Sequence, residues 1–67
     1  MPLIQVNYAS STNPAQKEEL IAELTKTYAR VMGAKESSVW VMLNESEREN
    51  WGGGGTSLSH LDAQQKA

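Results

Sequence analysis

The segment Ser38-Val39-Trp40-Val41-Met42-Leu43 reads as a β-strand that is apolar on both faces. No other feature restricts the fold as much. Alternation puts Val39, Val41 and Leu43 on one face and Trp40 and Met42 on the other. A strand with one solvated face carries polar residues there, so this one needs cover on both sides. Only one long amphipathic helix is legible in the chain, and it can cover one face. The second face predicts a partner, and another copy of the chain is the simplest one.

That helix runs between Asn13 and Gly33. Asn13 is a good N-cap, Pro14 suits the first helical position, and Gln16 can close a capping-box-like pair. Leu20, Ile21, Leu24, Tyr28, Val31 and Met32 recur at helical spacing, opposite Lys17, Glu18, Glu23, Lys26 and Arg30. Gly33 is its C′ stop, giving roughly five turns. Before it, Leu3 to Tyr8 reads as a strand, with Ile4, Val6 and Tyr8 on one face. Strand, helix and strand in succession imply a right-handed crossover joining parallel strands. The fold class is therefore α/β (α+β): a small β-α-β protomer.

Beyond the second strand, Glu45, Glu47 and Glu49 alternate in a polar loop that they solvate, and Trp51 precedes four consecutive glycines. Such a run is either a flexible linker or a tight turn that needs positive φ. It lacks the Lys-Ser/Thr of a phosphate-binding loop and opens no helix, so a backbone hairpin is the better reading. Thr56 to Ser59 can form the return strand. Residues 1–59 then make the domain, and 60–67, with His60, read as a polar tail.

Size sharpens the demand for a partner. The chain has 67 residues, and a domain this small buries only about 60% of its unfolded surface. Cysteine is absent and there is a single histidine, so neither disulfides nor a metal site is available to reinforce the core. Self-association remains. Six basic and eight acidic residues are scattered, leaving no footprint for nucleic acid. The apolar runs are too short to span a membrane. No signal-peptide pattern opens the chain, so a cytoplasmic protein is expected.

Met1-Pro2, a β-α-β body of this length and Asn50-Trp51-Gly52 followed by paired glycines together resemble the 4-oxalocrotonate tautomerase family. The resemblance covers about residues 2 to 59, and Gln16-Lys17, the Ser38-Val39 strand entry and the Trp51-Gly52-x-Gly54-Gly55 turn share in it. It implies β-α-β protomers with a C-terminal β-hairpin that reaches a neighbour, usually assembled as a hexamer of three dimers. It also implies a cofactor-independent isomerase whose amino-terminal proline, here Pro2 after loss of Met1, shuttles a proton between an enol acid and its ketone. The aromatic before the glycine turn, here Trp51, would line the pocket.

Two family arginines are missing: Thr12 stands in the place of one and Trp40 in the place of the other. A carboxylate that loses hydration without gaining charge-assisted bonds binds poorly. The expected substrate is thus a small enol or oxo monoacid rather than a dicarboxylate. Pro2 would be the catalytic base, Trp51 and Trp40 the apolar wall, and Thr12 a hydroxyl for the carboxylate or a helix cap.

An amino-terminal proline is a secondary amine and acts as a base only when deprotonated. An apolar pocket would favour that state by disfavouring the charged one. Other expectations compete. The same amine could support hydration, dehalogenation or decarboxylation of a small unsaturated or oxo acid. A non-catalytic scaffold, or an inactive subunit in a hetero-oligomer, also fits the missing arginines. Without the family pattern, Pro2 simply follows the initiator and opens an edge strand. Trp40 and Trp51 would then be ordinary core or interface anchors, and Arg30 and Arg48 solvated charges.

Overall fold

The computed structural model describes residues 1–65 of the chain. β1 (Leu3–Tyr8) leads into α1 (Pro14–Met32), a 3₁₀ turn at Glu36–Ser38 comes next, and β2 (Trp40–Glu45) returns beside β1. The two strands are parallel, with Leu3 opposite Trp40, Val6 opposite Leu43 and Tyr8 opposite Glu45. Parallel neighbours need a long crossover, and α1 supplies it.

The signals that predict α1 act as expected. The Asn13 side chain accepts from the Gln16 amide at 2.8 Å, and the Gln16 side chain accepts from the Asn13 amide at 3.0 Å. Two donors that would otherwise be orphaned are satisfied reciprocally. At the far end Gly33 takes φ 66°, a left-handed position that disfavours a Cβ.

The second strand starts two residues later than its apolar run suggests. The Ser38 amide and hydroxyl both bond the Lys35 carbonyl, at 3.0 and 2.8 Å. Local side-chain and turn bonds thus hold Glu36–Ser38 out of the ladder. At the other end β2 gains Asn44 and Glu45, which pair with Asn7 and Tyr8. Asn44 also donates to the Asn7 side chain at 3.1 Å.

Ile4, Val6, Tyr8, Val41 and Leu43 are half-buried on one face of the sheet, and α1 packs along it. The other face stays open: Leu3 is 52%, Trp40 56% and Met42 45% exposed. Among the described residues only Ala9, at 7%, is a buried hydrophobic. The chain exposes 5198 Å², whereas a monomer of its mass would expose about 4,200 Å². The excess is comparable to the ~800 Å² that one partner contributes to a standard interface.

The carboxyl-terminal part projects from this body. A 3₁₀ turn at Arg48–Asn50 precedes β3 (Gly52–Gly53) and β4 (Thr56–Ser57), which pair antiparallel. The glycine run is a tight turn, with Gly54 at φ 63° and Gly55 at φ 89°. Positive φ at both central residues is what a two-residue hairpin of this twist demands. Gly52 has a separate reason: a Cβ there would lie 2.9 Å from the Thr56 carbonyl oxygen.

In place of the polar tail expected from residue 60, the chain forms a helix. α2 (Leu58–Gln65) crosses that boundary, while Lys66 and Ala67 lie outside the described residues. Ser57 caps it, its hydroxyl accepting the His60 amide at 3.2 Å. His60 in turn lies 3.2 Å from the Gln64 side chain, one turn on. The hairpin and α2 lengthen the molecule to 48 × 25 × 15 Å, with a radius of gyration of 15.8 Å. A compact chain of this length would have about 11 Å.

Candidate active site

Pro2 sits immediately before β1 and is half-buried. Its carbonyl accepts the Trp40 amide at 3.0 Å, the first rung of the parallel ladder. The backbone of Pro2, its nitrogen in amide linkage to Met1, is therefore anchored at the amino-terminal end of the sheet. Met1 lies outside β1 and is 92% exposed, so its removal requires no unfolding. Trp40 meets Pro2 through the backbone. Its side chain shares the open face with Leu3 and Met42.

Thr12 is at the opposite end. Six residues of β1 at about 3.3 Å each separate it from Pro2 by roughly 20 Å. Its hydroxyl donates to the Glu45 carboxylate at 2.6 Å, and its amide reaches the same oxygen at 3.3 Å. The Tyr8 hydroxyl lies 3.1 Å away and the Lys17 ammonium 3.8 Å from Glu45. Thr12 is not the helix cap either, since Asn13 fills that role. As arranged, its proton is committed to Glu45, and a carboxylate stands beside it. Glu45, which the alternation of acids suggests is a loop residue, is instead the last residue of β2 and the hub of this cluster.

The Thr12 hydroxyl bond holds the Glu45 carboxyl below its ordinary value of 4.5, against some desolvation and with help from Lys17. A depressed carboxyl contributes its stabilisation above its unfolded pKa and loses it as pH falls through the folded one. We expect the clasp to be intact above the ordinary carboxyl value of 4.5 and to open only as pH falls below it. The Thr12 amide shift in an NMR acid titration checks this. Glu45→Gln should abolish the titration step while leaving the amide bond.

Trp51 ends the Arg48–Asn50 turn and is 40% exposed. Its carbonyl accepts the Leu58 amide at 2.7 Å, closing the hairpin at its base. Arg48 is not a free surface charge. Its Nε and Nη2 bond the two Asp62 oxygens at 2.5 and 2.9 Å, and its Nη1 donates to the Ala9 carbonyl at 2.9 Å. That pairing raises its pKa further. Sequence reasoning misses it because Asp62 falls in a segment that reads as a tail. The available signal is Ser57 as an N-cap with Leu58 and Leu61 beyond it at helical spacing.

Pro2 and Trp40 therefore meet at one end of the sheet, Thr12 lies at the other, and Trp51 stands on the projecting arm. Among the described residues no helix is long and apolar enough to cross a membrane.

The fold has known counterparts. The family profile described as "Tautomerase enzyme" matches residues 2–61. A 2-hydroxymuconate tautomerase of Comamonas testosteroni is 30% identical over 61 residues, covering 91% of this chain and 97% of that protein. Among solved structures, TomN, a 4-oxalocrotonate tautomerase homologue in the tomaymycin biosynthetic pathway, is 29% identical. It superposes with a TM-score of 0.87 over 92% of this chain and 95% of its own. A fused 4-oxalocrotonate tautomerase, described as an asymmetric trimer, is 32% identical with a TM-score of 0.83. That match covers 90% of this chain and 49% of the fused one.

Proposed function

We propose that this chain, which belongs to the 4-oxalocrotonate tautomerase family of the tautomerase superfamily and is an isomerase of the keto–enol type, moves its substrate's proton with the amine of Pro2. Removal of Met1 frees that amine. It takes the enol hydroxyl proton as the carbonyl forms, and the resulting ammonium returns a proton to carbon. Atoms balance, and no cofactor enters.

The observation that carries this reading is the anchoring of Pro2 by the Trp40 amide at 3.0 Å. It holds the nitrogen in one place beside an apolar strand end. Proximity of that kind is a large part of what a general base needs. Trp40, at the same strand end, and Trp51, brought by the arm of a neighbouring copy, supply the apolar wall that keeps the amine neutral.

The active form proposed is a homo-oligomer, a hexamer of three dimers in the family's manner. Three features support it: the open Leu3–Trp40–Met42 face, the excess exposed area and the roughly 20 Å between Pro2 and Thr12. The fused relative described as a trimer assembles too.

The substrate proposed is a small enol monoacid. At the Thr12 end the Thr12 hydroxyl is spent on the Glu45 carboxylate and Lys17 is paired with it, so neither is free for a second substrate carboxylate. Each missing charge-assisted hydrogen bond is worth about 1.5–3 kcal/mol, or roughly ten- to hundredfold in kcat/KM. Ketonisation of an aryl enolpyruvate should therefore exceed that of 2-hydroxymuconate by at least about tenfold. A preference for the dicarboxylate would refute this assignment of substrate while leaving Pro2 in place.

A further inference from the structure

We propose that Arg48 is a positioning residue that sets the angle at which the arm carrying Trp51 leaves the sheet. The inference rests on the proposed function in one respect: it takes Trp51 to be part of the pocket. Its structural content stands alone.

The arm comprises the hairpin and α2, and both pack on each other and on the Arg48–Asn50 turn. Between that turn and the end of β2 lie only Ser46 and Glu47. Two residues of connection leave the arm free to swivel unless something spans the joint. The Arg48 guanidinium spans it. Nη1 holds the Ala9 carbonyl, just past the end of β1, while Nε and Nη2 grip both oxygens of Asp62 on α2. Ala9 is also the one buried hydrophobic among the described residues, so its carbonyl is a fixed point.

Arg48 thus ties three elements, β1, the turn and α2, through one planar group. Its own backbone carbonyl accepts the Trp51 amide at 3.4 Å, which links the clamp to the tryptophan's backbone. A fork geometry suits this task and a point charge does not. Lysine at this position keeps the charge but cannot bond Asp62 twice and Ala9 at once. The pair is solvent-facing, with 46% and 33% of the two side chains exposed, so salt screens it.

The test uses the full chain and the two indole N–H groups in ¹⁵N NMR, with Trp40 as the internal reference. Arg48→Ala is expected to lower the heteronuclear NOE of the Trp51 indole and leave that of Trp40 unchanged. Arg48→Lys should resemble Arg48→Ala, and the native protein should show a partial drop at high salt. In turnover, both variants should raise KM by about tenfold with a smaller change in kcat, within the roughly 10²-fold range that misplacement by an ångström costs.

A Trp51 indole as rigid in both variants as in the native chain overturns the proposal. So does full restoration by lysine, which would reduce Arg48 to its charge. Should Arg48→Ala fail to fold, Arg48→Lys and the salt series decide. Loosening of Trp51 together with unchanged turnover would keep the clamp and remove Trp51 from the pocket.

Discussion

Pro2→Ala is expected to lower kcat for enol ketonisation by about 10²-fold or more, the range in which a positioned general base contributes. Alanine at position 2 still yields a free amine after loss of Met1, so the change is specific. A primary amine replaces a secondary one, and the ring that fixes φ is gone. The Trp40 amide still reaches the carbonyl of residue 2, because that bond involves no side chain. Folding should therefore be preserved. Substrate binding, read as KM, should change much less than kcat, since the lost interaction belongs to the transition state. Ketonisation at the native rate would remove Pro2 from the mechanism.

The second large effect is expected on the open face. Met42→Lys places a charge opposite Gln5, whose amide now lies 3.8 Å from the Met42 sulfur. On a solvated face that change would be nearly neutral. On a face covered by another copy it costs several kcal/mol, and ~4 kcal/mol is roughly 10³-fold in the dissociation constant. In sedimentation the native chain should run as an oligomer and Met42→Lys as a species near the 7.4 kDa of one chain. Activity should fall with assembly. Lys26→Ala, on the exposed face of α1, is the control and should leave the oligomer intact.

The parts of the fold that local chemistry dictates are readable from the residues alone. Asn13, Pro14, Gln16 and Gly33 mark α1 because each satisfies a backbone requirement within a few residues of itself. The double-sided apolarity of Val39 to Leu43 leads correctly to an uncovered face, since pleating alone decides which side chains share it. What eludes the sequence depends on contacts between distant residues. Glu45 meets Thr12 across 33 positions, and Arg48 meets Ala9 across 39. No spacing rule connects them. α2 escapes notice for another reason: its residues are mostly polar, so its apolar stripe is weak, and Ser57 with Leu58 and Leu61 beyond it is its one signal.

The site divides in the same way. Pro2 and Trp51 stand out through a family pattern, Trp40 and Thr12 by occupying places where that pattern has arginine. The structure adds that one chain does not gather them. Pro2 and Trp40 lie at one end of the sheet and Thr12 at the other, bonded to a carboxylate that its sequence neighbours give no reason to expect. That carboxylate is itself paired with the Lys17 ammonium, 3.8 Å away.

The most direct test of the proline mechanism is a pH titration of the Pro2 nitrogen by ¹⁵N NMR in proline-labelled protein, with Pro14 as the internal amide reference. The proline mechanism predicts an amine resonance for Pro2 that titrates near neutral pH, while Pro14 stays at an amide shift throughout. Two amide resonances, neither titrating, would mean that Met1 is retained and that Pro2 has no basic nitrogen, which contradicts the mechanism.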